Sequence, residues 1–271
     1  MKTVYFLVIA CLFSTIVGCN KIKSDHPQAG LGDEFATDLN AKSIISYADS
    51  IDKMLPSLSK STSLVYMLGD LSFYVERYNN GDKTVLYVEH ANNGGVNNGL
   101  KKYYLKNDSL ILQSVSTMLV GEDGSVFKDA RTFLRSNTIF KTDSRTASAG
   151  GEIKGQPFID IPLSKSAKSD KTMLDNIASL NDVLAGNDKF EMVFENITTY
   201  PDARYIVLKS KIQHSYSASI LVNEKDEFID SLLNNPMQFK NQKLNIDWTV
   251  KDQEAVYVPV ANKTSANGLN K

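Results

Sequence analysis

Residues 64–90 read LVYMLGDLSFYVERYNNGDKTVLYVEH, and the pattern of this stretch recurs through much of the chain. Runs of β-branched and aromatic residues alternate with short segments rich in Asn, Gly and Asp, which is typical of strands joined by tight turns. The pattern predicts three strands, at Leu64–Leu68, Leu71–Tyr78 and Lys83–His90, with turns at 69–70 and 79–82. We therefore expect an antiparallel meander to begin here.

A weak internal repeat extends this meander. Residues 103–112 align with residues 132–141, and each copy has an aromatic strand, a polar turn and an apolar strand, which predicts two β-hairpins. A further hairpin turn is predicted at 121–124. The Asn- and Gly-rich stretch 92–99 is predicted to be a flexible loop, and it lacks the Lys-Ser/Thr ending of a phosphate-binding loop.

Two stretches have helical rather than strand periodicity. Ala41–Leu58 has apolar residues at steps of three and four, and Pro56 is expected to disturb or end this helix. Packing on the chain's own sheet is the common use of such a face, and binding a partner is the alternative. A second apolar stripe runs from Met173 to Leu184, with Gly186 as its stop. The periodicity does not decide which neighbouring domain this second helix joins.

The last block combines strands with a short helix. Its predicted elements are three strands, a helix ended by Asn235-Pro236, and two more strands: Phe190–Ile197, Tyr205–Ile212, Tyr216–Val222, Glu224–Leu233, Leu244–Val250 and Ala255–Val260. This is the element order of an OB-fold barrel. The run 235–248 also resembles small OB-like domains of bacterial envelope proteins, although Asn241-Gln242 stand where Gly is usual. The predicted fold class is α+β and mainly antiparallel β, with a meander sheet and its packed helix followed by an OB-like five-stranded barrel.

The N-terminus has the features of an export signal. Met1-Lys2 is followed by an apolar run, Tyr5–Phe13, which is too short to span a bilayer in a mature protein. The run Ile16-Val17-Gly18-Cys19 then resembles the lipobox of bacterial lipoproteins. That resemblance implies cleavage between Gly18 and Cys19, lipid on the Cys19 thiol and a stable membrane anchor. An ordinary secretory signal is the alternative.

These features predict a domain organisation and a location. The predicted segments are a signal peptide (1–18), lipidated Cys19 with a flexible tether (19–40), a helix and meander domain (41–146), a linker (147–168), a helix and OB-like domain (169–262) and a disordered tail (263–271). In the lipoproteins of enteric bacteria, Asn rather than Asp after the cysteine favours the outer membrane. Asn20 therefore predicts an outer-membrane protein that faces the periplasm.

Composition limits the classes of partner and chemistry. Cleavage would remove one of the 30 basic residues, Lys2, and none of the 31 acidic ones, so the mature chain would have a net charge of −2. This nearly balanced charge predicts no nucleic-acid partner. Cleavage would also leave Cys19 as the sole thiol, too few for an internal disulfide. The histidines, His26, His90 and His214, have no metal-ligand spacing, and we interpret them as surface or strand-end residues. We therefore predict no metal, no cofactor and no catalytic residue.

Three functions are compatible with this sequence. The first is a non-catalytic envelope lipoprotein that binds another envelope protein or a polymer. The second is an envelope hydrolase acting on glycan, although Glu122, Asp123 and Asp129 are interpreted as solvated acids around one turn. The third is a carrier of a small apolar ligand. Two carboxylates held within about 10 Å in a cleft would favour the hydrolase. An apolar cavity of about 300 Å³ or more would favour the carrier.

Overall fold

Strands account for most of the computed structural model, which describes residues 39–94, 97–121, 124–136, 138–163 and 171–259. The strands are β1 Ser59–Thr62, β2 Tyr66–Leu68, β3 Leu71–Asn80, β4 Lys83–Asn93, β5 Asn97–Lys106, β6 Ser109–Gly121, β7 Gly124–Arg135, β8 Thr138–Ala147, β9 Ile159–Ile161, β10 Met192–Thr199, β11 Arg204–Ser210, β12 Ser217–Leu221, β13 Asp247–Lys251 and β14 Glu254–Val258. The helices are α1 Ala41–Met54, α2 Lys171–Ala185, α3 Glu227–Asn234 and α4 Pro236–Phe239, with 3₁₀ turns at Leu55–Ser57, Ile153–Gly155 and Asp188–Phe190.

All of these strands belong to one sheet. Its order is β10-β11-β12-β2-β3-β4-β5-β6-β7-β8-β9, with β1 also paired to β3 and β14 paired to both β12 and β13. The pairs are antiparallel except for β12 with β14, which run parallel. The structure is therefore α+β and mostly antiparallel β, as the sequence predicted.

The predicted internal repeat is present in the geometry of the two hairpins β5–β6 and β7–β8. Each hairpin has a register shift at the same repeat position, between Tyr104 and Leu105 in one and between Phe133 and Leu134 in the other. The turn of the first hairpin, Asn107-Asp108, has positive φ at both residues, which matches the twist of the flanking strands. The two copies thus share a strand irregularity as well as a sequence pattern.

Helix α1 lies on one face of the sheet. It ends at Met54, before the 3₁₀ turn that contains Pro56, in agreement with the expected disturbance. Its Asp52 carboxylate accepts hydrogen bonds from Lys102 Nζ (2.9 Å) and Tyr104 Oη (3.0 Å). These bonds fix the helix over the face that carries Lys102 and Tyr104, and its buried residues Ile44, Ala48 and Ile51 pack there.

Helix α2 lies on the opposite face. Tyr87 Oη donates to Asn181 Oδ1 (2.8 Å), and Tyr66 Oη donates to the Val183 carbonyl (3.2 Å). The helix ends before Gly186, whose φ of +64° suits glycine at a helix C-terminus. The core beneath α2 joins residues from both predicted β-rich regions: Val75, Tyr87 and Tyr103 from one, Phe194, Ile206 and Ile220 from the other.

Three expectations differ from the structure. The elements of the last block occur in the predicted order, but the sheet is not closed: among the described strands, β10 and β13 do not pair, and β12 instead pairs with β2. The OB-like five-stranded barrel is therefore not confirmed. The stretch 92–99 consists largely of the ends of β4 and β5, because its Asn residues extend the ladder. The predicted linker at 147–168 contains β9 and a 3₁₀ turn, and the sheet has no break between regions 41–146 and 169–262.

Candidate functional site

The face of the sheet that carries α1, here called the α1 face, has side chains arranged in rows across the strands. Side chains alternate between faces along a strand, so residues that are direct cross-strand partners share a face. Register places one such row across six strands, from β3 to β8: Tyr74, His90, Leu100, Ser116, Asp129 and Arg145. The next row runs across β4–β8: Asn92, Asn98, Met118, Phe127 and Ala147.

The central members of these two rows form the floor of a groove of about 450 Å³, here called the cross-strand groove. Its floor residues include His90, Asn98, Leu100, Ser116, Phe127 and Asp129, and it is also lined by Ile153 from a 3₁₀ turn and Gln253 from the β13–β14 turn. The volume lies within the range of small-ligand sites. The lining mixes apolar surface with amide, hydroxyl and carboxylate groups.

Asp129 is a polar group of the groove that is held on both carboxylate oxygens. Its Oδ1 accepts from Ser116 Oγ (2.7 Å), and its Oδ2 accepts from Arg145 Nε (2.9 Å) and Nη2 (2.8 Å). The interpretation of Asp129 as a solvated turn acid was therefore wrong, because the residue lies within β7 and its side chain is only 18% exposed. Glu122 and Asp123 lie outside the described residues.

His90 also belongs to an ordered network. Its ring stacks on Tyr74, with centroids 4.3 Å apart, and its Nε2 lies 3.2 Å from Glu76 Oε2. Burial by itself would raise the pKa of Glu76, but hydrogen bonds from His90, Lys60 and Tyr78 outweigh it and lower that pKa to about 2. The interpretation of His90 as a strand-end residue was thus incomplete: it is half-buried within β4 and paired with a carboxylate.

Residues 149–158 fold back against the α1 face beside the groove. The Phe158 ring lies between two guanidinium groups, with its centroid 3.4 Å from Arg131 Cζ and 4.5 Å from Arg145 Cζ. Arg145 Nη1 also donates to the Lys154 carbonyl (3.2 Å). A Cβ at Gly150 would stand 3.0 Å from the Phe127 ring, so the segment approaches the groove floor closely at this position.

A second ion-pair cluster adjoins this segment. Arg131 binds Asp143 in a bidentate manner, through Nε (2.8 Å) and Nη2 (2.9 Å), and Lys141 bridges Asp143 (3.5 Å) and Asp160 (2.8 Å). The side chain of Asp143 is only 2% exposed. The Asp143 carboxylate is therefore buried in ion pairs between strands and is poorly placed to exchange a proton with a substrate.

One amide side chain at the β4 end of the groove has an acceptor that no described residue satisfies. Asn98 Oδ1 is buried, and it accepts no hydrogen bond from any residue that the structure describes. Asn92 Nδ2 donates to Gln253 Oε1 (3.3 Å), which ties the β13–β14 turn to β4. A buried carbonyl oxygen without a donor is costly, so Asn98 is a position where a bound donor would be favourable.

The remaining predicted site residues are not brought together. Gly18, Cys19 and His26 lie outside the described residues, so cleavage and lipidation stay predictions. His214 lies in the β11–β12 loop with φ of +56° and is exposed, in agreement with its interpretation as a surface or strand-end residue. Within the part of the chain that the structure describes, no three His, Cys, Asp or Glu residues are grouped to hold a metal ion. Over the same residues, no helix has both the length and the apolar character needed to cross a membrane.

A smaller apolar cavity lies between the C-terminus of α2 and the sheet. Tyr66, Phe190, Met192 and Trp248 are among its lining residues, and its volume is about 100 Å³. That volume is below the range of cavities that enclose a drug-sized ligand. The cavity therefore gives little support to a carrier of a small apolar ligand.

The chain matches no family model, and neither the curated proteins nor the solved structures contain a significant match to it. An inference about its function therefore rests on its own residues and their geometry.

Proposed function

We propose that this chain is a lipid-anchored protein of the bacterial cell envelope that binds another envelope protein or a polymer and catalyses no reaction. The observation that carries the proposal is the sequence Ile16-Val17-Gly18-Cys19 behind a basic start and a short apolar run. Cleavage there would leave Cys19 as the only thiol and attach the folded part to a membrane through lipid. We place it on the outer membrane, facing the periplasm.

The binding part of the proposal draws support from the cross-strand groove. Its carboxylate, Asp129, is held by Arg145 and Ser116, and the nearby Asp143 is held by Arg131. A hydrolase that acts on glycan needs one carboxyl group that can donate a proton and another that can attack or activate water. Carboxylates that are fixed in ion pairs suit recognition better than proton transfer, so we favour binding over hydrolysis.

Substitution of the two cysteines tests the anchor. In Cys19→Ala we expect loss of lipid attachment, so that the protein is released from the membrane fraction or mislocalised. Cys11→Ala is the matched control, because the same change within the apolar run leaves the cleavage site intact. Mass spectrometry of the purified wild-type protein should give an N-terminus at Cys19 with added lipid mass, and globomycin should prevent its formation.

Two results would contradict the anchor. One is a purified wild-type protein that retains Met1 or carries an unmodified Cys19. The other is a Cys19→Ala protein that is cleaved at another bond and still sediments with membranes. If the anchor is supported, crosslinking in cells followed by identification of the captured molecule identifies the binding partner.

A further inference from the structure

We propose that the cross-strand groove binds a neutral saccharide chain, so that the polymer recognised by this protein is an uncharged glycan. The inference rests on the proposed binding function and specifies the chemical class of its ligand. Three features of the groove carry it: the balance of charge, the mixture of hydrogen-bonding groups and the direction in which the groove runs.

Charge is balanced within and beside the groove. Asp129 is paired with Arg145, and Glu76 is paired with Lys60 and His90. An ionic ligand would have to displace one of these partners and would lose its own hydration. A neutral ligand avoids this cost and can use the lone pairs that the ion pairs leave free.

The polar groups of the groove suit hydroxyl groups. Ser116 donates its proton to Asp129, so Ser116 Oγ can still accept a hydrogen bond, as can the second lone pair of Asp129 Oδ1, whereas Oδ2 already accepts twice from Arg145. Asn98 contributes an amide with a buried acceptor that no described residue satisfies, and Gln253 contributes a second amide. A sugar hydroxyl both donates and accepts, so it can satisfy any of these groups.

Apolar groups lie between the polar ones. Leu100, Met118 and Phe127 contribute carbon surface to the floor of the same groove. A pyranose ring presents a C–H face as well as hydroxyl groups at its rim. The groove therefore offers both surfaces that such a ring needs, whereas a wholly apolar ligand would leave the polar floor groups unsatisfied.

The groove runs across the strands, which disfavours an extended peptide. From β4 to β7 it crosses four neighbouring strands, or about 14 Å at the usual spacing between strands. These are interior strands that are paired on both sides, so their backbone groups cannot receive an added strand. Recognition must come from side chains alone, and a short oligosaccharide fits that length and that kind of contact.

Calorimetric titration of the full-length protein in detergent tests the proposal. The probes are four neutral tetrasaccharides, namely chitotetraose, cellotetraose, maltotetraose and mannotetraose, together with the glucosamine tetramer as a cationic counterpart of chitotetraose. We expect at least one neutral probe to bind and the cationic tetramer to bind more weakly. Ser116→Ala and Asp129→Asn should each weaken that binding about tenfold, the effect of losing one good hydrogen bond.

Ser144→Ala is the matched control for Ser116→Ala. Ser144 is on β8 of the same sheet, but it alternates with Asp143 and Arg145 and so points to the opposite face. Affinity should be unchanged in this variant. Circular dichroism of each variant checks that the fold is kept. If Asp129→Asn disturbs the sheet, the test relies on Ser116→Ala, which removes only a single hydroxyl group.

Three outcomes would overturn the saccharide proposal: no neutral probe binds the folded wild-type protein, both groove variants bind as well as wild type, or the cationic tetramer binds more tightly than chitotetraose. None of these outcomes affects the cysteine experiment. A lipidated Cys19 and a captured envelope protein, together with failure of every neutral probe, would overturn the ligand class while supporting the anchored binding protein.

Discussion

Two parts of the same sheet are stabilised in different ways. Strands β3–β5 lie between α1 and α2, and their inward side chains are apolar and almost fully buried, such as Leu86, Val75 and Tyr103 at 0% exposure. Strands β7–β9 continue the same meander, but ion pairs and the segment that carries Phe158 cover their α1 face. The ladder of hydrogen bonds is continuous, so the difference lies in the side chains alone.

The difference separates stability from recognition. Apolar burial is non-directional and contributes most of the favourable free energy of folding. Ion pairs between neighbouring strands contribute less on balance, because both partners must lose hydration, but they fix the positions of polar atoms. The helix-covered part should therefore determine whether the protein folds. The ion-paired part should determine what the cross-strand groove can hold.

The largest expected effect is in the helix-covered part. Leu86→Ala should lower the free energy of unfolding by about 4 kcal/mol, because the leucine is fully buried and the methyl groups removed leave a cavity. Urea unfolding followed by circular dichroism measures the change. Leu119→Ala is the matched control on β6, the strand between the two parts: Leu119 is 46% exposed, and we expect a loss of less than about 1 kcal/mol. Similar losses in the two variants would contradict the comparison.

A smaller loss is expected from the ion-paired part. Asp143→Asn should cost about 3 kcal/mol, because Arg131 would lose its bidentate partner at a site that is almost inaccessible to water. Replacing both partners, with Arg131→Met and Asp143→Leu, should restore much of that loss, since no unpaired charge is then left. The same urea experiment compares the three proteins. A double variant less stable than Asp143→Asn would mean that the pair itself stabilises this part of the sheet.

The sequence predicts much of this arrangement, because strand position depends on local patterns. Turns such as Asn107-Asp108 mark the hairpins, and the repeat between 103–112 and 132–141 predicts two similar units. The sequence also contains a pattern that predicts the ion pairs between β7 and β8. Asp129-x-Arg131 and Asp143-x-Arg145 are complementary when the two strands run antiparallel, and the structure pairs them in that way.

The features that the sequence did not predict depend on contacts between segments far apart in the chain. The pairing of β12 with β2 joins residues 217–218 to residues 66–67, and no local pattern predicts that the last block extends the first sheet. Closure into a barrel was inferred from element order, but order does not determine which edges meet. The groove likewise requires residues from β4 to β7 and from the β13–β14 turn, which become neighbours only after the sheet has formed.

The smallest of the three effects depends on pH and concerns a carboxylate within the helix-covered part. Glu76 has a pKa of about 2 in the folded protein, against an ordinary value of 4.5, because hydrogen bonds from His90, Lys60 and Tyr78 outweigh its burial. A pKa that is lower in the folded state stabilises the fold fully above about pH 4.5, and this stabilisation is lost as the pH falls towards about 2. The loss should reach roughly 2 kcal/mol, since the carboxylate is largely buried and weakly screened.

Urea unfolding at a series of pH values measures this loss as the difference between wild type and Glu76→Gln. The difference should shrink below about pH 4.5, because the wild-type carboxylate becomes protonated and resembles the amide. Glu191→Gln provides the control: a hydrogen bond from Lys211 lowers the pKa of Glu191 as well, but that pair is open to water and its contribution is screened. A constant difference between wild type and Glu76→Gln from pH 5 to pH 3 would show that the network around Glu76 stabilises the sheet through its shape, without any contribution from its charge.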